Sequence, residues 1–535
     1  MTAMTPTTPA PLAAAHRPAD TAAPLWEITV GELLRDLAGR HPQRAALMWP
    51  EGDRIAQMTW AELLAGAERA AGLVLSLLSP GEPLAVWAPN SPDWVVLEYG
   101  AALAATPLVP VNPNLTDAEA AYQLRQSGAR LIIAADEHRG RPLRDRAIEL
   151  AGEHAEPCPV LGMDAWRTAA RPDPSSLPLP APESPFLLQY TSGTTGLPKA
   201  AVLSHLACVN SGRFGMKKLH EPGTAEVYCT PLPLHHVGAS VCAVLTAASV
   251  GATLVLAPAF DAASVLELAE RSKTTILGLV PTMMTDILAS PDLRTRDLSS
   301  LRVVCGGGST VPPELIRRFE TSLGVQLSIA YGQSESPYAT STDLSDSDVV
   351  KAETLGRPCA HREVRIERLG GGTAGIGEHG ELLIRSPLNM TAYHDRPDET
   401  AQAIDADGWL HTGDICSMDE DGVLRIHGRS KEVIIRGGEN IYPREVEEAL
   451  LTHPSIADVA VLGLPDERLG EIVAAFVRCA AGATADPSDL EDFARARLAS
   501  YKVPRVWHFV DQFPLTASGK IRKHVLREGL SEAAG

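Results

Sequence analysis

The stretch from Tyr190 to Lys199, which reads Tyr-Thr-Ser-Gly-Thr-Thr-Gly-Leu-Pro-Lys, limits the possible folds more than any other part of the sequence. An apolar run at 186–188 precedes it and another at 200–203 follows it, so we predict a loop that joins two strands. Gly193 and Gly196 permit a turn in which consecutive N–H groups point at one anion. The stretch therefore predicts an anion-binding loop between strands.

The side chains of this loop narrow the anion to a phosphate group. Lys199 supplies a mobile positive charge, and hydroxyl groups that can donate to phosphate oxygens are carried by Thr191, Ser192, Thr194 and Thr195. The Walker-type loop is excluded, because it requires Ser or Thr after its lysine and opens a helix, whereas Ala200 follows Lys199. A flexible surface turn is the simpler alternative, but an ordered pattern of this length favours a triphosphate-binding loop.

The length and the net charge of the chain limit the classes of protein to which it can belong. At 535 residues the chain is too long for one hydrophobic core, so we expect at least two domains. A formal charge of −19 and the absence of a basic run argue against a nucleic-acid-binding surface. The eight cysteines form no CxxC pair, which favours buried thiols in the cytosol over a zinc site or disulfides. No apolar stretch reaches the ~18 residues of a membrane span.

Short apolar runs alternate with amphipathic segments along the first part of the chain. Thr29 and Thr59 each precede apolar residues at helical spacing, and the pattern then predicts strands at 84–88, 107–111 and 131–134 with helices at 92–105 and 117–126. This alternation is typical of an α/β fold with parallel strands. Residues 1–24 are rich in Ala, Pro and Thr, and we predict that they form a disordered tail.

Three later motifs have the residue types of a nucleotide site. The run Gly306-Gly307-Gly308 would let backbone approach a ligand, although three glycines could also make a plain loop. In Tyr331-Gly-Gln-Ser-Glu335, the tyrosine offers a flat face to a base and the glutamate an oxygen ligand to Mg²⁺. Asp414, in Gly408-Trp-Leu-His-Thr-Gly-Asp414, could accept both ribose hydroxyl protons, or could be an ordinary turn aspartate.

Taken in order, these motifs resemble those of the adenylate-forming superfamily, which includes acyl- and aryl-CoA synthetases, over about residue 25 to the C-terminus. The resemblance implies an α/β protein with a large multi-layer N-terminal domain and a small mobile α/β C-terminal lid. We place these domains at residues 25–428 and 429–535, with a hinge near Lys431. In the lid, the sequence itself predicts strands at 458–464, 472–478 and 506–510 and helices at 444–451 and 487–498.

The resemblance also assigns roles to single residues. Thr191, Lys199, Glu335, His236 and Lys520 would be catalytic, with His236 at the border of the acyl pocket and Glu335 holding Mg²⁺. The residues that would contact the nucleotide are those of the loop with Gly306, Gly307, Gly308, Tyr331, Gly332, Ser334, Asp414 and Arg429. Lys431 would be the pivot, and Gly437 and Gly438 would enter the site after the lid turns.

Two positions depart from the family pattern. Ser334 replaces the usual Thr and keeps its hydroxyl. His235 stands where an apolar or aromatic residue is commoner, and it could be a plain surface histidine.

The implied activity is the adenylation of a carboxylic acid by ATP, which yields AMP and pyrophosphate, followed by acyl transfer to coenzyme A. Amino-acid-activating relatives carry an Asp after the pocket His, and residues 237–242 contain none, so an acid without an α-amino group is favoured. A carrier protein or an amine as acceptor, nitrous acid as the adenylated oxyanion, a luciferase-like oxygenase and a non-catalytic nucleotide-binding protein stay open.

Overall fold

The computed structural model describes residues 11–153, 157–191, 197–308, 311–368, 370–437, 439–514 and 521–527. Within these ranges the chain forms four sheets with helices packed against them. The α/β class predicted from the alternating pattern is confirmed, and so is the division into a large N-terminal part and a small C-terminal part.

The first sheet contains the strands that flank the predicted phosphate loop. Its order is β19 (Ala392–Tyr393), β9 (Ala200–Ser204), β8 (Pro185–Tyr190), β5 (Leu108–Val111), β4 (Leu84–Trp87), β6 (Leu131–Ala134) and β7 (Val160–Gly162). The strands from β8 to β7 are parallel, whereas β9 and β19 run antiparallel to their neighbours. Strands β4, β5 and β6 are buried along their whole length, as parallel strands covered by helices are.

The second sheet is the largest and carries the Gly-rich turn and the Tyr331–Glu335 motif. Its order is β16 (Arg357–Pro358), β15 (Ser336–Ser341), β14 (Gln326–Gln333), β13 (Val303–Gly307), β12 (Ile276–Leu279), β10 (Val227–Thr230), β11 (Thr253–Leu256), β2 (Ala45–Glu51) and β3 (Arg54–Thr59). The strands from β14 to β2 are parallel, and antiparallel hairpins close both edges.

The third sheet is antiparallel and carries Asp414 and Arg429. Its order is β1 (His16–Arg17), β17 (Glu363–Glu367), β18 (Gly380–Arg385), β20 (Leu410–Met418) and β21 (Leu424–Arg429). The predicted tail over residues 1–24 is wrong for residues 11–24, because β1 pairs with β17 and Ala15 is fully buried. The local composition of residues 11–24 could not show this, because β1 is ordered by pairing with β17, which is distant in the sequence.

The fourth sheet belongs to the C-terminal part. Its strands are β22 (Ile434–Arg436), β23 (Glu439–Ile441), β24 (Ile456–Asp466), β25 (Gly470–Cys479) and β26 (Val506–Phe509). The sheet has its own apolar core, in which Ile434, Val461, Val473 and Leu490 are buried. The strands predicted for the lid are confirmed, and β22 begins three residues after Lys431. The domain boundaries near 428 and 431 stay predictions.

The helices cover the sheets. They are α1 (Val30–Arg40), α2 (Trp60–Leu75), α3 (Pro92–Leu103), α4 (Asp117–Gln126), α5 (Leu143–Ala151), α6 (His205–Leu219), α7 (Val237–Ala239), α8 (Thr246–Ala248), α9 (Ala262–Ser272), α10 (Pro281–Ala289), α11 (Pro313–Leu323), α12 (Asp348–Glu353), α13 (Pro397–Ala403), α14 (Pro443–Leu451) and α15 (Pro487–Arg495). Thr29 and Thr59 cap α1 and α2 as predicted, each in a capping box with a glutamate. Across the described ranges no helix is both long and apolar enough to cross a membrane.

Candidate active site

The predicted phosphate loop lies between two antiparallel strands, as the sequence indicates. Strands β8 and β9 pair from Pro185 to Tyr190, and beyond them the Thr191 N–H donates to the carbonyl of Lys199 at 2.8 Å. This bond closes the loop at its base. Ser192, Gly193, Thr194 and Thr195 lie outside the described residues, so their predicted contacts with phosphate stay predictions.

Lys199 lies beside an aromatic ring from another part of the chain. Its Nζ is 5.0 Å from the centroid of the Tyr393 ring, a cation–π contact. Tyr393 belongs to β19, which pairs with β9 directly after the loop, with Tyr393 opposite Ala201. The strand that pairs with the end of the phosphate loop thus supplies an aromatic ring that supports the lysine.

Glu335 lies at the tip of a tight hairpin. Strands β14 and β15 are joined through Ser334 and Glu335, with Gln333 paired to Ser336. The Tyr393 hydroxyl donates to Glu335 Oε1 at 2.6 Å, and the Met390 N–H donates to the Glu335 carbonyl at 2.7 Å. Glu335 and Lys199, predicted from separate motifs, therefore contact the same tyrosine.

A second cluster surrounds Asp414, whose side chain is 1% exposed. Its Oδ2 accepts hydrogen bonds from the Tyr331 hydroxyl at 2.5 Å and from Gln333 Nε2 at 2.7 Å. Arg429 Nε lies 2.8 Å from Oδ1, because Asp414 and Arg429 are opposite each other in β20 and β21. The structure thus brings together the residues predicted for the base, the ribose and the phosphate.

The protonation states of these groups follow from burial and charge. Burial and the neighbouring Asp414 carboxylate raise the pKa of Tyr331 well above its usual range, so its hydroxyl keeps its proton and donates. Burial alone would lower the pKa of Arg429, but Asp414, Tyr331 and Glu335 reverse that effect and raise it. Arg429 is therefore a permanent cation beside both clusters.

Close approach of a ligand explains only part of why glycines occupy the Gly-rich turn. A Cβ at Gly307 would lie 2.2 Å from the carbonyl oxygen of Ala330, and one at Gly306 would lie 2.5 Å from the Met284 side chain. Gly308 has φ +82°, and no described residue comes within 4 Å of its Cβ position. Backbone atoms thus exclude a side chain at Gly307, whereas a side chain at Gly306 would only require the end of the flexible Met284 side chain to move. The predicted ligand approach is best supported at Gly308.

The glycine at position 332 is also explained by contacts within the protein, since a Cβ there would lie 2.6 Å from the backbone nitrogen of Tyr338. Ser334 is 9% exposed beside Glu335 in the hairpin. Both residues shape the turn that carries Glu335, and their predicted contacts with nucleotide stay predictions.

The two histidines of the predicted pocket differ in environment. His236 is exposed and its Nδ1 accepts the Gly238 N–H at 3.0 Å, which begins α7. His235 is partly buried, and burial together with His236 and His138 lowers its pKa to about 3. His235 is therefore neutral at pH 7, and the plain surface histidine considered above is not what the structure shows.

Of the predicted hinge residues, Lys431 is exposed in a 3₁₀ turn, Ser430–Glu432. Gly437 has φ +60° in the turn between β22 and β23, where its N–H donates to the Leu469 carbonyl at 2.7 Å. Gly438 and Lys520 lie outside the described residues. The predicted roles of all four are not tested by this arrangement.

The predicted metal ligand of this site is the carboxylate of Glu335. Among them no group of three or more His, Cys, Asp or Glu side chains could hold a metal ion by itself. Mg²⁺ is usually held by one or two carboxylates together with substrate phosphates and water. Glu335, which Tyr393 fixes beside the phosphate loop, suits this mode of Mg²⁺ coordination.

Two residues of the site were not foreseen from the sequence. Gln333 lies inside the Tyr331–Glu335 motif, and its side chain donates to Asp414, Tyr331 and the Thr412 carbonyl. Its position in the motif could have marked it. Tyr393 lies 58 positions from Glu335, and no local pattern connects the two.

The chain matches known protein families over most of its length. Residues 34–394 match the model described as AMP-binding enzyme, and residues 445–520 match the AMP-binding enzyme C-terminal domain. YngI of Bacillus subtilis (strain 168), whose name assigns it to the acyl-CoA synthetases, is 36% identical over 95% of this chain and 98% of its own. The mitochondrial medium-chain acyl-CoA ligase ACSF2 of Homo sapiens is 35% identical over 94% and 87%.

A solved structure agrees with these matches. The fatty acyl CoA synthetase of Mycobacterium tuberculosis superposes with a TM-score of 0.76 and 31% identity, covering 94% of this chain and 99% of that one. The similarity spans the N-terminal sheets and the C-terminal sheet together.

Proposed function

The chain belongs to the AMP-binding enzyme family, and from this premise we propose that it ligates a carboxylic acid to coenzyme A with cleavage of ATP to AMP and pyrophosphate. The observation that supports this most is the β14–β15 hairpin. Its strand directs Tyr331 to Asp414, and its tip holds Glu335 beside Lys199 through Tyr393. One hairpin thus joins the proposed nucleoside contact to the proposed phosphate contact.

In the first step a carboxylate oxygen of the acid attacks the α-phosphorus of ATP, and the bond to pyrophosphate breaks. The charge that develops on the phosphate oxygens must be met by fixed donors and cations. We assign this to Lys199, to the hydroxyl and N–H groups of the loop, and to Lys520, with Arg429 on the ribose side. Mg²⁺ held by Glu335 would neutralise part of the triphosphate charge when bound.

In the second step a thiol attacks the acyl carbonyl of the adenylate, and AMP leaves. We propose that the lid turns about Lys431 between the steps, so that Gly437 and Gly438 replace Lys520 at the site. One lid would then serve both half-reactions.

For the acid, we propose an aliphatic monocarboxylic acid. Medium-chain and fatty acyl groups appear in the names of similar proteins. The segment after His236 agrees with such an acid, because residues 237–245 carry no charged side chain. An α-ammonium group would find no carboxylate in this segment.

The compartment and the acceptor are narrower proposals. None of the eight cysteines, all within the described residues, forms a disulfide, which supports a reducing compartment such as the cytosol. We propose coenzyme A as the acceptor, with a carrier-protein phosphopantetheine as the alternative for the same thiol chemistry.

The test is pyrophosphate release across fatty, aryl and amino acids, each with and without coenzyme A. We expect release with aliphatic acids, and a coenzyme A thioester when the thiol is present. Lys520→Ala should abolish most acid-dependent pyrophosphate release and spare thioester formation from a pre-made adenylate. Adenylation that is never followed by thioester formation would favour the carrier protein, and no release with any acid would contradict the proposal.

A further inference from the structure

Residues 390–394 connect Glu335 to the strand that leaves the phosphate loop. The Met390 N–H donates to the Glu335 carbonyl at 2.7 Å, and three residues later the Tyr393 hydroxyl donates to the Glu335 carboxylate at 2.6 Å. On its other edge the segment pairs with β9, where the Thr391 N–H donates to Val202 and the His394 N–H to Ala200. Glu335 is therefore held twice, by backbone and by side chain, from one segment.

Tyr393 meets the two charged groups with different parts of its side chain. The hydroxyl contacts the anionic Glu335, and the ring face contacts the cationic Lys199 at 5.0 Å. These are the two polarities that a phenol offers, since the O–H donates and the ring face is electron-rich.

We infer that Tyr393 is a positioning residue, which fixes Glu335 for a divalent cation and Lys199 for the triphosphate. Holding Oε1 through the Tyr393 hydroxyl limits rotation of the carboxylate and leaves its orientation set before nucleotide arrives. Hydrogen-bond partners of metal-ligating carboxylates act in this way, and their loss typically weakens metal affinity or activity by about 10- to 100-fold. The inference rests on the proposed function, in which Glu335 and Lys199 handle the phosphates of ATP.

The two contacts can be separated by substitution. Tyr393→Phe keeps the ring under Lys199 and removes the hydroxyl from Glu335, whereas Tyr393→Leu removes both. Tyr501→Phe, in the C-terminal part, controls for the loss of a phenol elsewhere in the chain. Melting temperatures of all variants should first show that the fold is retained.

The experiment measures ATP binding to the full chain by calorimetry, once with excess Mg²⁺ and once with a chelator. We expect Tyr393→Phe to weaken MgATP binding by about 10-fold or more and to leave metal-free ATP binding close to that of the parent. Tyr393→Leu should weaken both, because Lys199 also loses its support. Tyr501→Phe should match the parent in both conditions.

A double-mutant cycle locates the effect. In a Glu335→Gln background, Tyr393→Phe should cost little further MgATP affinity, because the carboxylate that it orients is gone. The inference would be overturned if Tyr393→Phe weakened ATP binding equally with and without metal. It would also be overturned if Tyr393→Phe weakened MgATP binding as much in the Glu335→Gln background as it does in the parent.

Acid-dependent pyrophosphate release by the parent chain tests the proposed function separately. If the parent releases pyrophosphate and Tyr393→Phe binds MgATP normally, the inference about Tyr393 fails and the proposed function stands. If the parent releases none, the proposed function fails whatever the variants bind.

Discussion

The Tyr331 hydroxyl donates to Asp414 Oδ2 at 2.5 Å, across 83 positions of sequence and between two different sheets. Arg429 contacts the other oxygen of the same carboxylate at 2.8 Å. Asp414 is consequently oriented from both sides and lies beside a cation. A carboxylate fixed in this way can accept hydrogen bonds from both ribose hydroxyls.

If Asp414 holds the ribose, Asp414→Asn should reduce the preference for ATP over 2′-deoxy-ATP. A hydrogen bond to a charged group contributes about 1.5–3 kcal/mol, which corresponds to a preference of about 10- to 100-fold in the parent. The measurement is kcat/KM for both nucleotides in pyrophosphate release. Asp421→Asn, exposed in the turn of the same β20–β21 hairpin, is the matched control. A preference that survives in Asp414→Asn would remove Asp414 from ribose recognition.

Glu98 gives a prediction about stability. It is fully buried in α3, and neither of its carboxylate oxygens has a hydrogen-bond partner among the described residues. Burial raises its pKa well above the usual range, so folding favours its neutral, protonated form. Glu98→Met removes an unsatisfied polar group, and we expect it to stabilise the chain by about 1–3 kcal/mol.

The pH dependence of this effect has a definite sign. Because the folded chain binds a proton at Glu98 that the unfolded chain has released, stability falls as the pH rises above the unfolded pKa. The melting-temperature gain of Glu98→Met should thus be larger at pH 8 than at pH 5. Glu68→Met in α2 is the matched control and should destabilise, because buried Glu68 is paired with Arg171. A destabilised Glu98→Met at every pH would show that the carboxyl has a stabilising partner.

Most of the order of elements could be predicted from the sequence, because local patterns determine them. Thr29 and Thr59 cap helices through residues three positions away, and the apolar runs of β4, β5 and β6 are continuous. Asp414 and Glu335 could also be proposed as site residues from the sequence, because each lies in a distinctive motif, and their roles stay predictions. Tyr393 and the pairing of β1 with β17 were missed, since both depend on contacts between distant parts of the chain.

The Gly-rich turn shows a different limit of sequence reasoning. Three adjacent glycines suggest one cause, but Gly307 is required by the close approach of Ala330, whereas Gly308 is required by its positive φ. Residue type alone could not show whether a glycine is needed to avoid a clash with protein atoms or to let a ligand approach the backbone.

A histidine pair gives a prediction for acid pH. His379 and His427 stack with ring centroids 3.8 Å apart, and the ring of Tyr442 lies edge-on to His379 at 5.1 Å. Burial, His379 and two arginines lower the pKa of His427 to about 4. The groups that act on or contact this pair are Ser417, Arg425, Tyr442, Arg444, Glu445 and Lys502.

Because the pKa of His427 is depressed, the unfolded chain binds more protons than the folded chain between about pH 6.5 and 4, and stability is lost as the pH falls through this window. We expect the melting temperature of the parent to drop between pH 7 and 4.5, and the drop to be smaller in His427→Gln. His453→Gln, away from the pair, controls for the loss of a histidine. Identical pH profiles for parent and His427→Gln would contradict this assignment.

The predicted hinge can be tested with a residue that fixes φ. Lys431→Pro should trap one lid arrangement, so that adenylation is largely retained and thioester transfer falls, provided that the trapped arrangement carries Lys520. Each half-reaction is measured separately, after circular dichroism and ATP binding show an intact fold. A variant that performs both steps at the parent rate would place the hinge elsewhere.

The central claim is that the acid itself attacks the α-phosphorus of ATP. The most direct measurement uses an aliphatic acid with ¹⁸O in both carboxylate oxygens, followed by mass spectrometry of the products after complete turnover with coenzyme A. The predicted result is AMP that carries one ¹⁸O atom, because the attacking oxygen stays on the phosphate when the thiol takes the acyl group. Label in inorganic phosphate with formation of ADP, or AMP without label, would contradict an acyl-adenylate and with it the function proposed for this site.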